Sequence, residues 1–226
     1  MKAQTALVLG ATGLIGSNLV KLLLTDDAYE KVIVLVRNAY PLLHPKLVVR
    51  IVDFNNHQEY QQSIGTGDCI FCCIGTTMKK VKNDKVVYRK IDYDIAVNAA
   101  KFGLTSGYSQ FLLVSSVGAN PASKNFYLQL KGEVEHTILA LPFKSIHIFQ
   151  PSMLLGKRSE FRAAELIGKG IMQVISFLFL GSLKKYRAIQ AASVAKAMLA
   201  VSKSGQPVKR TYTYTEIIKL AETNDR

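Results

Sequence analysis

Short apolar runs alternate along the chain with stretches whose apolar residues recur every three or four positions. Residues 5–9, 31–36 (KVIVLV), 47–52, 68–74, 111–114 and 145–149 are the runs, and most of them lack a regular polar alternation. That is the signature of strands covered on both faces of a parallel sheet. Between them, residues 13–24 put Leu14, Ile15, Leu19, Leu22 and Leu23 on one side of a helix. Residues 84–102 form a long helical pattern, and residues 127–141 form another that Pro142 stops. Strands and amphipathic helices in this succession predict an α/β fold, a doubly wound parallel sheet with right-handed crossovers.

The rhythm changes after Pro151. Residues 156–162 are charged and loop-like, and residues 171–180 are almost wholly apolar, followed by Lys184, Lys185 and Arg187. Residues 191–201 read as an alanine-rich helix and residues 211–214 as a short strand. Residues 215–220 read as a last helix with Thr215 as its cap. No repeat or long linker separates these pieces. Residues 1–226 are therefore expected to form a single nucleotide-binding domain, with residues 151–226 as its substrate or lid part. The apolar run is about half as long as a membrane span. Being apolar nearly all round, it fits a buried helix roofing a cleft better than a membrane-surface helix or partner site.

With 49% hydrophobic residues, the 226-residue chain can bury one sizeable core. Its formal net charge is +13. The basic residues are scattered, with one local cluster at Lys79, Lys80, Lys82 and Lys85. No aromatic-basic module accompanies them, so no nucleic-acid partner is expected. A loop attracting a phosphorylated or acidic ligand ranks ahead of that, and a solvated face ranks ahead of both. Cys69, Cys72 and Cys73 crowd one predicted strand, which puts the first two sulfurs on opposite faces; they read as buried apolar cysteines, with no metal site. An odd, clustered set of cysteines and a polar start running straight into the first strand suggest a reducing, cytoplasmic location.

The first run, Ala6-Leu7-Val8-Leu9, breaks into Gly10-Ala11-Thr12-Gly13-Leu14-Ile15-Gly16. Glycines placed so allow a sharp turn off the strand, close approach of backbone to a pyrophosphate, and tight packing of helix on strand. The helix start then offers free amides and a partial positive charge to phosphates. A dinucleotide is the expected ligand. The second strand ends Val36-Arg37-Asn38 without the carboxylate that commonly binds the ribose hydroxyls of NAD. Arg37 is suited to a 2′-phosphate, pointing to NADP(H), or else is an exposed strand-end arginine. Asp53 is either an acceptor for the adenine amino group or a turn or helix cap. Ile74 and Gly75 follow the fourth strand, where glycine lets backbone run close beside a cofactor.

The second signal lies at Tyr127-Leu128-Gln129-Leu130-Lys131. Tyr127 and Lys131 are four apart on a predicted helix and share a face. A tyrosine with an ordinary pKa near 10 is a poor acid or base at neutral pH. A neighbouring ammonium favours the phenolate, and the same lysine can bond a nicotinamide ribose. Ser116, ahead of Ser115, is placed to hold a substrate carbonyl oxygen. The two serines point to opposite faces of a strand, so one of them faces the site.

These segments together resemble the short-chain dehydrogenase/reductase superfamily, of the extended or atypical kind, and within it the Tat-interacting-protein-type oxidoreductases. The resemblance is carried by residues 71–77 (FCCIGTT), 113–119 (LVSSVGA), 125–135 (NFYLQLKGEVE) and 149–155 (FQPSMLL). It covers nearly the whole chain and is least specific over the last 50 residues. It implies a Rossmann-type fold and NADPH as cofactor. Thr12, Gly13, Leu14 and Ile15 would lie at the pyrophosphate, Arg37 at the 2′-phosphate, and Ile74 and Gly75 at the adenosine. Leu154 and Arg162 match cofactor-touching positions. Asn38 stands where members can carry a second arginine, and Gln150 replaces an arginine often found before the proline. Tyr127, Lys131 and Ser116 would form the catalytic set of an oxidoreductase acting on a carbonyl or alcohol, bulky or apolar if residues 171–180 roof the cleft. Two other readings share the motifs. One is an NADPH-binding redox-sensing regulatory protein acting through protein contacts; on the partner side, a homo-oligomer or a regulatory protein partner stays open. The other is an NAD-dependent sugar-nucleotide epimerase, for which the residues after Pro151 look few.

Overall fold

The computed structural model describes residues 3–156 and 185–223. The expectations for Arg162, for the apolar run 171–180 and for Lys184 fall outside the described residues. Seven strands form one sheet: β1 (Gln4–Leu9), β2 (Tyr29–Val36), β3 (Leu47–Ile51), β4 (Cys69–Cys72), β5 (Gln110–Val114), β6 (Ser145–Phe149) and β9 (Val208–Tyr212). Their spatial order is β3-β2-β1-β4-β5-β6-β9, and every pairing is parallel. The order reverses between β1 and β4. That is the switch point at which α/β sheets of this kind open a crevice beyond the carboxyl ends of the strands.

The apolar runs are continuous because both faces of the sheet are covered. Along β1, Ala6 and Val8 join one core layer while Leu7 and Leu9 join the other. The first layer is closed by α1 (Leu14–Thr25), α6 (Ala191–Ser202) and α7 (Tyr214–Thr223), through Leu19, Leu23, Val194, Met198 and Ile217. The second is closed by α2 (His57–Ile64), α4 (Ile95–Thr105) and α5 (Phe126–Leu139), through Tyr60, Ile64, Ala96, Ala100, Val134 and Ile138. Cys69 and Cys72 fall in opposite layers as buried free thiols, as the strand period requires. Burial pushes their pKa values up to about 12 and about 11, so neither is a ready thiolate.

Three local expectations change, and the first is the strand over residues 211–214, which is β9 (Val208–Tyr212). The helical pattern over residues 84–102 is not one helix. It is α3 (Lys85–Arg89), a π-helical turn (Lys90–Asp94) and then α4. Thr215 lies inside α7; Thr213 precedes that helix, and its amide and hydroxyl both donate to Glu216. This is the Thr-x-x-Glu capping pattern, which favours Thr213 because Glu216 is three residues ahead of it. A two-stranded parallel ladder of β7 (Leu154–Leu155) and β8 (Ile189–Gln190) lies apart from the main sheet.

His147 is buried at mid-strand in β6, with Nδ1 2.9 Å from the Tyr212 hydroxyl. Burial lowers its pKa to about 4. The unfolded chain takes up this proton near pH 6.5, while the folded chain resists it until about pH 4. Stability from this group is therefore complete above pH 6.5 and drains away between those values, by roughly 3 kcal/mol at most. In chemical denaturation, the stability difference between wild type and His147→Gln is expected to narrow by that amount from pH 7 to pH 4.

Candidate active site

The turn after β1 is built around glycine for steric reasons. Gly10 has φ +79°, and a Cβ there would lie 2.6 Å from the carbonyl carbon and oxygen of Cys73. A Cβ on Gly16 would run into the carbonyl of Gly10. The turn closes with the Gly13 amide donating to the Gly10 carbonyl (2.8 Å), and the Ser17 amide donates to Gly13 (2.9 Å). The amides of Leu14, Ile15 and Gly16 thus head α1. Asn56, Asp84 and Asn125 cap α2, α3 and α5 with side-chain oxygens, whereas α1 has no side-chain cap and no acid in its first turn. A glycine cradle with an uncapped helix start fits a pyrophosphate. Thr12 is exposed at its rim.

Around this cradle, Arg37 and Asn38 are exposed just past β2, and Arg37 makes no ion pair among the described residues. Asp53 folds an Asx turn, its Oδ1 accepting from the amide and side chain of Asn55 at 2.9 Å each. Ile74 is half-buried, and a Cβ on Gly75 would stand 3.8 Å from Asp92 Oδ1. Leu154 is half-buried in β7, and a Cβ on Gly156 would lie 2.8 Å from Leu14 Cδ1. The chain after β6 therefore comes back across the first residue of α1.

The tyrosine and lysine sit on α5, which begins where Asn125 Oδ1 accepts from the Tyr127 amide (3.0 Å) and the Leu128 amide (3.2 Å). Tyr127, at 37% exposure, opens to solvent; Lys131, at 5%, is buried beneath it. The Lys131 ammonium lies 2.9 Å from Asp92 Oδ1, an ion pair with both side chains out of solvent. The other Asp92 oxygen accepts from the Thr76 amide at 2.8 Å. Burial alone lowers the Lys131 pKa, but Asp92 and then Tyr127 outweigh it and hold the lysine up to about 12. Lys131 is thus a fixed positive charge, electrostatically coupled to Tyr127.

Asp92 is the member that sequence reasoning missed. It sits in the π turn, where widening by one residue turns its carboxylate inward onto α5 and the loop after β4. The sequence Lys90-Ile91-Asp92-Tyr93-Asp94 offers two aspartates and no signal that chooses between them. One turn beyond Lys131, Glu135 is buried, and the Gln150 amide donates to both of its oxygens (2.9 and 3.0 Å). Burial pushes the Glu135 pKa up. Gln150 is thereby committed to Glu135. Ser116 is half-buried, its hydroxyl held by one long bond to Val117 (3.4 Å), while Ser115 is buried.

The glycine turn at the switch point of the sheet is that of a dinucleotide-binding domain, and the comparisons with known proteins agree on that domain. The profile of an NAD(P)H-binding family matches residues 10–140. Protein HTATIP2 of Rattus norvegicus is 32% identical over 206 residues, 88% of this chain and 81% of its own length. Protein FMP52-1, mitochondrial, of Scheffersomyces stipitis is 30% identical over 227 residues, 96% and 98% of the two chains. The chain belongs to this NAD(P)H-binding family. Among solved structures, a putative NAD-dependent epimerase/dehydratase from Bacillus halodurans superposes with a TM-score of 0.69 at 18% identity, covering 98% of this chain and 100% of that one. The Bordetella bronchiseptica enzyme WbmH in complex with NAD+ gives 0.69 at 15% identity, covering 99% and 80%. These likenesses show a Rossmann-like α/β fold.

One expectation is overturned. The cytoplasmic location does not stand, because FMP52 relatives from several yeasts are named mitochondrial. Cysteine usage reports only a reducing surrounding and does not separate compartments of that kind. Among the described residues, no helix is long and apolar enough to cross a membrane.

Proposed function

We propose that the protein is an NADP(H)-dependent oxidoreductase acting on a carbonyl or alcohol. The observation that carries this reading is the buried Asp92–Lys131 ion pair beneath a solvent-open Tyr127, on the helix following β5. Glycine cradle, Arg37, Asn38, Asp53, Ile74, Gly75 and Leu154 form the nucleotide side. When bound, NADPH supplies the hydride. Tyr127 gives its phenolic proton to the substrate oxygen. Lys131, held charged by Asp92, steadies the phenolate left behind. Ser116, with a loosely held hydroxyl, orients the carbonyl. Residues 151–226 supply the substrate-facing part of the same domain, and the FMP52 names point to mitochondria as its location.

The test is oxidation of NADPH by purified protein with a panel of aldehydes and ketones. Tight NADPH binding with no turnover of any carbonyl would favour the regulatory reading. Arg37 sets the cofactor preference, since hydrogen bonds to a charged group contribute about 1.5–3 kcal/mol. NADPH is expected to raise the melting temperature more than NADH at equal concentration, and Arg37→Ala to erase the difference. Equal stabilisation of wild type by both would remove the role given to Arg37.

A further inference from the structure

The lysine cluster of the sequence borders the first turn of the helix that carries Tyr127. After β4 and Thr76 the chain makes a 3-10 turn, Met78–Val81, and enters α3. Val81 and Tyr88 are buried with Leu130 of α5, and Met78 and Phe126 pack on the same cluster. The Tyr88 and Phe126 rings meet edge to face at 5.7 Å. The segment is thereby fixed to the first turns of the helix that carries Tyr127. Lys85 Nζ lies 5.3 Å from the centre of the Phe126 ring, whose chain neighbour is Tyr127.

The charge of this segment is one-sided. Lys79, Lys80, Lys82, Lys85 and Lys90 are all exposed. Asp84 is the one acid between residues 78 and 90. Its Oδ1 is taken up in capping α3, accepting from the amides of Val86 (2.8 Å) and Val87 (3.1 Å). Arg89 pairs with Glu133 at 2.6 Å, whereas Lys82 and Lys85 make no ion pair among the described residues. Lys82 also holds a left-handed backbone, φ 51°, followed by Asn83 at 64°. Glycine adopts that conformation at about 1 kcal/mol lower cost. Next to Lys85, Val86 is 66% and Val87 39% exposed, an apolar step on α3.

We propose that the substrate of the Tyr127 site carries an anionic group, carboxylate or phosphate, on an apolar stem remote from its carbonyl. The carbonyl lies at Tyr127 and Ser116, the stem passes over Val86 and Val87, and the anion is met by Lys82 and Lys85. This rests on the oxidoreductase reading and narrows its substrate class.

The experiment pairs aldehydes of equal length with and without a terminal carboxylate: 9-oxononanoate against nonanal, reduced with NADPH. At low ionic strength kcat/KM for the oxo acid is expected to exceed that for nonanal about tenfold, the excess shrinking as salt is raised. The double variant Lys82→Glu/Lys85→Glu should bring the ratio to one or below. Lys31→Glu, at the opposite end of the sheet, should leave the ratio intact. Binding of nonanedioate, which cannot be reduced, to the NADPH-saturated protein is measured alongside by calorimetry. It is expected to be salt-sensitive and lost in the double variant. Equal kcat/KM for the two aldehydes, or a preference that survives the double variant, would overturn the anionic-substrate assignment and leave the oxidoreductase reading standing. Nonanedioate binding that depends on Lys82 and Lys85, with no turnover of either aldehyde, would support the anion site and count against the catalytic reading. No turnover and no binding would defeat both.

Discussion

Tyr127→Phe is expected to lower kcat/KM for NADPH-dependent carbonyl reduction by about 10²–10⁴-fold, the usual contribution of a positioned proton donor. The substitution removes one hydroxyl and keeps the ring. Tyr127 is 37% exposed at the second position of α5, so neither the core nor the Asn125 cap depends on that oxygen. NADPH binding should accordingly survive: the thermal shift on adding NADPH should be the same in variant and wild type. A loss of turnover with cofactor binding unchanged identifies an interaction made during the chemical step, not one made in binding. Retention of most of the activity would mean that another group delivers the proton, and the assignment of Tyr127 would fall.

Much of this site was legible in the chain because its parts are local. The glycine turn is read from three positions within seven residues, and the structure explains each by a close backbone approach at Cys73 or Gly10. The first six strands were legible because a parallel sheet covered on both faces leaves no polar alternation; the seventh was not, since the run expected at residues 211–214 overlaps only the last two residues of β9. The Tyr127–Lys131 spacing was visible because four residues make one helical turn. What escaped was set by contacts distant in sequence. Asp92 lies 39 positions before Lys131, and its inward aim depends on a π turn that breaks an otherwise uniform helical pattern into α3 and α4. Periodicity over residues 84–102 averages across such a turn and hides it. Gln150 is another case. Its separation from Glu135 gave no hint that its amide would serve a buried carboxylate, and only the packing of α5 against the end of β6 makes that pair. The compartment was not legible, because cysteine usage does not distinguish one reducing compartment from another.

Asp92 should also be the most costly single side chain to remove from this site. Asp92→Ala strips the Lys131 ammonium of its counter-charge and the Thr76 amide of its acceptor, both in the protein interior. Breaking a buried pair from one side typically costs about 3–5 kcal/mol, because the remaining charge stays buried and uncompensated. Asp92→Asn keeps an acceptor in nearly the same volume and should cost less, while still withdrawing the negative charge. The pH dependence separates a charge effect from a packing defect. In wild type, Lys131 has a folded pKa of about 12, above the value near 10.4 of an unfolded lysine. Its contribution is therefore complete at neutral pH and fades only on passing above that unfolded value. Without Asp92 the largest remaining influence is burial, which lowers the folded pKa below the unfolded one. Stability of the Asp92→Asn protein must then recover as pH rises toward 10, since the folded chain sheds a proton that the unfolded chain still holds. Melting temperatures of wild type and Asp92→Asn at pH 7 and pH 10 are expected to converge. A deficit that stays constant over that range would show that position 92 acts by packing alone, and that Lys131 does not need its partner to remain charged beneath Tyr127.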